Sequence, residues 1–221
     1  KKDAQTLVLI DFNELPLTNK ADFYSSINAD KKHFQSSLVV NENFDKSIVI
    51  LDKPIIISND GILDTKKEGT IEFWVNHSVI AGASRILIAK TDGLLAADWG
   101  YGLRTISNGN TYMEIGNGST SITSPSTGLS INTWYQVVGV WTNVASNSLA
   151  LYINGSLIGS NSHSFTSIKN TTSPLYIGSF NGGQFSQWLN GRMGIVRMYN
   201  KSLSASEVLQ NFNADKSKYS L

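Results

Sequence analysis

Apolar and polar residues alternate through most of this chain, the period of strands with one face buried and one face wet. Thr6 to Phe12 reads as a first strand, and Leu15 to Gln35 as a polar, irregular surface excursion. Ile48 to Leu51 and Ile55 to Ile57 flank Pro54, which cannot donate to a central ladder and so predicts an edge or a kink there. Gly69 to Asn76 puts Ile71, Phe73 and Val75 on one face and Glu72, Trp74 and Asn76 on the other. Further strands are expected at Arg85 to Lys90, Tyr101 to Ser107, Tyr112 to Gly116, Ser119 to Thr123, Leu149 to Ile153, Ser156 to Ile158, Pro174 to Ser179 and Arg192 to Tyr199. Thr91 to Gly100 reads as a loop.

Turn chemistry separates these segments. Asn108-Gly109, Asn117-Gly118 and above all Asn154-Gly155 supply the positive φ angles of tight hairpins. One helix stands out near the end. Ser204-Ala-Ser-Glu207 is a capping box, with Leu203 and Val208 at the staple positions. Val208, Leu209 and Phe212 share a face, and so short a helix is stable only when that face is docked. The chain therefore reads as one all-β domain over residues 1–221, a two-sheet antiparallel sandwich with one short C-terminal helix.

Composition narrows the chemistry. Charged residues are only 16% and the net charge is +1, with the lysines and arginines scattered, so no basic stripe for nucleic acid is present. Cysteine is absent, which excludes disulfides, thiol catalysis and cysteine-based zinc sites. No apolar run is long enough to span a bilayer, so membrane insertion is not expected. The chain begins at Lys1 without a methionine or an apolar leader, which reads as a processed form or an excised domain.

Several segments together carry a family resemblance: Asp11-Phe-Asn-Glu14, Thr70 to Val75, Trp134 to Val137, Leu151 to Gly155, and the closing strand and capped helix from Gly191 to Phe212. In this order and spacing they resemble the laminin-G-like branch of the concanavalin A-like lectin/glucanase superfamily. The resemblance implies a jelly-roll sandwich that presents a recognition surface. It also implies a structural calcium ion held partly by an Asp before the Val-Arg-Ile-Tyr segment. Here that position is Gly194, which offers no side-chain oxygen. Asp11, and the loop carboxylates Asp92 and Asp98, are the remaining candidate Ca²⁺ ligands, the loop pair equally readable as solvated aspartates.

Catalysis is not suggested. Glycosidases similar to this superfamily carry clustered carboxylates on alternate strand positions. The six glutamates here, Glu14, Glu42, Glu68, Glu72, Glu114 and Glu207, are isolated from one another and read as exposed groups on polar sheet faces, although Glu72 and Glu114 are free to meet in space. His33, His77 and His163 form no lyase-like or metal-like pattern. No Gly-x-Ser-x-Gly elbow or phosphate-cradling loop occurs.

Sugars are bound by flat aromatics and planar polar groups. Two segments have that mixture, Asp92 to Tyr101 and Phe180 to Asn190. The candidate ligand-binding residues are Asp98, Trp99, Tyr101, Asn181, Gln184, Trp188 and Asn190. Trp99 and Trp188 read either as partly exposed ligand contacts or as lids over the ends of the sandwich. Arg104, Tyr112 and Glu114 line a polar sheet face beside them, or are simply solvated. The expected function is a non-catalytic recognition module, extracellular, on a cell surface or on a virion, with a glycan or polysaccharide as partner. A structural module docking on neighbouring protein subunits is the alternative, and a glycan-cleaving enzyme using Glu72 or Glu114 a second alternative.

Overall fold

The computed structural model describes residues 6–10, 34–35, 48–50, 55–57, 59, 61, 63–64, 67–143, 147–179 and 187–221, the first three segments as backbone only. In chain order the strands are β1 (Thr6–Ile10), β2 (Phe34–Gln35), β3 (Ile48–Ile50), β4 (Ile55–Ile57), β5 (Glu68–His77), β6 (Arg85–Thr91), β7 (Trp99–Thr105), β8 (Asn110–Gly116), β9 (Ser121–Thr123), β10 (Thr127–Gly128), β11 (Trp134–Thr142), β12 (Ser148–Ile153), β13 (Ser156–Ser162), β14 (Leu175–Ile177) and β15 (Gly191–Tyr199). Helix α1 spans Ala205–Asp215, and a 3-10 turn follows at Lys216–Tyr219.

Two antiparallel sheets result. The first runs β1-β15-β5-β11-β12-β13, with β3 sharing the β1 side of β15. The second runs β10-β8-β7-β6-β14-β4-β2, with β9 added to β8. β3 belongs to the first sheet and β4 to the second, while Pro54, expected at an edge or a kink, lies outside the described residues. The alternation explains the layers. Ile71, Phe73, Val75, Val137, Leu149, Leu151 and Met198 of the first sheet meet Ile55, Tyr101, Leu103, Met113, Ile115 and Leu175 of the second in one dry core. His77 continues the inward row of β5, fully buried, and its Nε2 lies 3.2 Å from Thr105 Oγ1.

The outer face of the first sheet is covered as well. Capping box and staple form as the sequence predicts: Glu207 N donates to Ser204 Oγ and Ser204 N to the Glu207 carboxylate. Val208 is buried with Val138, Tyr152 and Tyr199, whereas Leu209 turns to solvent, 46% exposed, at the rim of the docked face. The C-terminal turn then lays Tyr219 flat on Trp74, ring centroids 4.2 Å apart. Glu72 is therefore no exposed glutamate. It has no accessible surface, and burial pushes its carboxyl above the usual range although Arg197, Gln136 and Asn211 all donate to it. Arg197 also reaches Asp215 of α1 at 2.6 Å, so one guanidinium ties sheet to helix.

Gly194 finds its explanation here. The register shifts between Met193 and Val196, which frees the Ile195 N–H to donate to the Tyr219 hydroxyl at 2.8 Å. A Cβ on Gly194 would collide with that same phenol. The space that a side chain at position 194 would take is filled by Tyr219 of the C-terminal turn.

Two outcomes follow for stability. Gly194→Ala should destabilise the domain by about 1–3 kcal/mol through overpacking, and less in a Tyr219→Ala background, as read by urea unfolding in a double-mutant cycle. Additive costs would show that the two residues do not press on each other. Separately, burial lowers the His77 pKa from 6.5 to about 4. The unfolded chain binds that proton first, so stability is full above pH about 6.5 and falls towards pH about 4, by roughly 3 kcal/mol. His77→Gln should flatten this part of the stability–pH profile, and an unchanged slope would assign the acid sensitivity elsewhere.

Candidate functional site

The Asp92 to Tyr101 segment is not the open loop expected. β6 runs on to Thr91, a 3-10 turn spans Ala96–Asp98, and β7 already starts at Trp99. Trp99 is fully buried, so of its two readings the partly exposed ligand contact falls. Its ring lies against Gly102, where a Cβ would come within 2.7 Å of Cζ3. Tyr101 is likewise a core residue, stacked on Trp141 at 5.1 Å with its hydroxyl donating to Leu63 O, and offers no ligand surface. Residues two apart on a regular strand share a face, but the register shifts where Lys90 pairs with Tyr101 and Thr91 with Trp99, leaving Gly100 over, and this bulge sends Tyr101 to the core and Trp99 outward with Ile86, Ala89 and Tyr176.

The loop aspartates are already engaged. Asp92 Oδ1 accepts from the backbone N–H groups of Thr172 and Ser173, and Oδ2 pairs with Lys169 at 3.1 Å. Partial burial works to raise its pKa, but the Lys169 and Ser173 donors outweigh it and hold the carboxyl below the usual range. Asp98 Oδ2 accepts from Leu95 N and closes its own turn. A divalent cation between these carboxylates would sit against the Lys169 ammonium, so this pair does not fit a calcium ligand set. Among the described residues no group of three or more His, Asp or Glu side chains gathers to hold a metal. Asp11, the third candidate ligand, lies outside the described residues, as do Asn181 and Gln184.

Trp188 is half-buried. Gln187 O accepts from Ile86 N at one end of β6, while Thr91 at the other end pairs with Trp99. The two predicted segments therefore join the sheet five residues apart along β6, roughly 16 Å, and do not form one rim. Asn190, at φ 46°, gives its carbonyl to the Ser78 and Val79 N–H groups and borders a different feature. That feature is an open cleft of about 440 Å³ lined by Val79, Ile80, Ala81, Leu129 and Ile131, with Ser and Asn at its edge. No aromatic or charged side chain lines it.

A cluster of charged, polar and aromatic side chains gathers instead on the outer face of the second sheet. Register sets Arg104 of β7 opposite Tyr112 of β8, and Glu114 two residues on points to the same face. The Arg104 guanidinium sits over both Trp99 and Tyr112, 5.2 Å and 5.1 Å from the ring centroids. Its Nη2 lies 2.9 Å from Glu114 Oε2, and Ser121 of β9 donates to Glu114 Oε1 at 2.6 Å. Arg104 Nε and Glu114 Oε2 nevertheless have no aligned hydrogen-bond partner in the protein. Tyr112 is half-exposed; burial raises its pKa, Arg104 working against the rise and Glu114 adding to it. Glu114 is thus a held, 4% exposed carboxylate and not a solvated one. Glu72 occupies the outer face of the opposite sheet. The sheets are about 10 Å apart, so the two glutamates cannot flank one glycosidic bond.

A family model described as the concanavalin A-like lectin/glucanases superfamily, of laminin G type, matches residues 52–209. No curated protein matches by sequence. Among solved structures, the binding domain of Paraclostridial Mosquitocidal Protein 1 superposes with a TM-score of 0.68 at 18% identity, over 95% of this chain and 52% of that one. The binding domain of botulinum neurotoxin DC in complex with rat synaptotagmin II gives 0.67 at 15% identity, over 95% and 51%. The same binding domain in complex with SialylT gives 0.67 at 14%, over 96% and 52%. At such identities the likeness is one of fold, and the chain spans about half the length of the structures it matches.

The placement of Trp99 is checked by Trp99→Ala, which should cost about 3–5 kcal/mol in urea unfolding, the range for an aromatic removed from a core. A stable variant would return this ring to the surface.

Proposed function

This chain belongs to the concanavalin A-like lectin/glucanase superfamily, and from that membership we propose that it is a non-catalytic recognition module whose ligand is a carbohydrate, working outside the cell on a cell or virion surface. One observation carries the reading. The outer face of the second sheet holds a guanidinium, a carboxylate, a phenol ring and a hydroxyl side by side, each fixed by a neighbour. Planar donors and acceptors beside an aromatic ring are what sugar hydroxyls and the apolar face of a pyranose require. Fixing them on strands lowers the ordering cost of binding.

The opposite outer face is sealed by α1 and the C-terminal turn, so it contributes no comparable surface. The Glu114 carboxylate is committed to Arg104 and Ser121, and among the described residues no second carboxylate pairs with it, which supports binding over cleavage. The structures similar in fold are binding domains, one in complex with SialylT and one with rat synaptotagmin II, which supports a recognition role. The protein-docking alternative draws its support from the synaptotagmin II complex alone.

A broad glycan and polysaccharide screen tests the proposal, with tryptophan fluorescence followed on the hits. Arg104→Lys keeps the charge but loses the planar fork. It should weaken binding at least about tenfold, and Tyr112→Ala similarly, with far-UV circular dichroism unchanged. Undiminished binding by both folded variants would move the site off this face. No binding across the panel, with a stable complex formed on a protein surface, would transfer the function to docking.

A further inference from the structure

We infer that the outer-face site selects uncharged sugar units, because Glu114 cancels the charge that Arg104 would otherwise present to a ligand. This rests on the carbohydrate reading of that face.

The first ground is charge. An unpaired arginine at a binding face recruits carboxylates and sulfates through its fork of N–H groups. Arg104 is not unpaired. Glu114 lies 2.9 Å away, itself 4% exposed and anchored by Ser121, so the positive charge is cancelled inside the site. An acidic sugar bringing its own carboxylate to Arg104 would be forced against that of Glu114, and like charges at such range repel strongly where water is excluded. It would also have to break an existing pair, leaving Glu114 shielded and uncompensated.

The second ground is reach. The Arg104 side chain is 23% exposed and that of Glu114 only 5%, so a ligand meets the guanidinium and not the carboxylate that neutralises it. A neutral hydroxyl accepts from a guanidinium N–H without bringing a second negative charge against Glu114.

The third ground is the wall. Tyr112 lies half-exposed beside the pair and presents an apolar ring face to the C–H face of a sugar. The guanidinium is stacked between Tyr112 and the buried Trp99, which fixes its plane.

The test pairs neutral oligosaccharides of glucose, galactose and mannose with matched ones carrying a uronic or sialic acid. Binding is measured by fluorescence and calorimetry on the whole chain at about 0.05 and about 0.5 M NaCl. The expected result is a preference of at least about tenfold for neutral ligands, with affinity changing less than about twofold between the two salts. Glu114→Gln removes the compensating charge at constant shape and should invert the preference, adding a salt dependence that the native protein lacks. A native protein that prefers carboxylated glycans, with binding lost in Arg104→Ala, would overturn this inference and leave the carbohydrate reading of the face standing. Absence of glycan binding, or binding indifferent to Arg104→Ala, would overturn that reading itself. The comparison of neutral and acidic ligands needs no variant, so a misfolded Glu114→Gln protein would not rescue the inference.

Discussion

The buried Glu72 sets the terms for half of this molecule. A carboxylate with no accessible surface is tolerable only when its charge is met, and the group that meets it is Arg197 on the neighbouring strand. Arg197 spends its remaining reach on Asp215 at the end of α1, and Asp215 in turn holds Lys218 of the following turn. A single chain of charges thereby runs from the sheet through the helix to the C-terminal turn. Gln136 extends it sideways, donating to Glu72 with its amide while its carbonyl accepts from Gly155 in the Asn154-Gly155 hairpin. The helix contributes little by itself, being short, but it closes a face that would otherwise expose Trp74 and Val138. Sealing one outer face leaves the sandwich asymmetric, and the open face is the one free to meet other molecules.

Much of the architecture was legible because strand alternation and turn chemistry are local signals. Ile71, Phe73 and Val75 did face the core, the Asn-Gly hairpin at 154–155 formed, and the capping box closed on Glu207. What escaped was the second use of a strand's outward positions. Glu72 reads as an exposed glutamate by alternation, yet α1 and Tyr219 bury it together with Trp74, and no local pattern announces where a helix more than a hundred residues later will land.

The candidate site failed in sequence for a related reason. Gly-rich surroundings made Trp99 look like part of a loop, but Gly100 and Gly102 are small because the strand is crowded, with the Trp99 ring resting on Gly102 and the Lys90 backbone crossing Gly100. A glycine marks close approach as readily as a turn. Arg104, Tyr112 and Glu114 were visible as neighbours on one sheet face, whereas Ser121, which fixes Glu114, came into view only with the register of β9 on β8. Asp92 misled in the opposite direction. Its carboxylate is conspicuous in a loop, but it serves as an acceptor that holds the turn at Thr172 and Ser173.

The position of β15 has a kinetic meaning. It lies between β1 and β5 although it is the last strand in the chain, so Thr6 and Thr70 both wait for Tyr199. Until that segment arrives, β1 has no partner in its sheet and β5 has one bare edge. Pairings this distant in sequence carry a large loop-closure entropy before any contact repays it, which slows folding in proportion to their share of the structure. During synthesis from the N-terminus, then, the first sheet stays incomplete while the hairpins of the second can already form. The open β5 edge is the surface on which chains crowded together would pair wrongly, and the central strand, arriving last, is what removes that hazard.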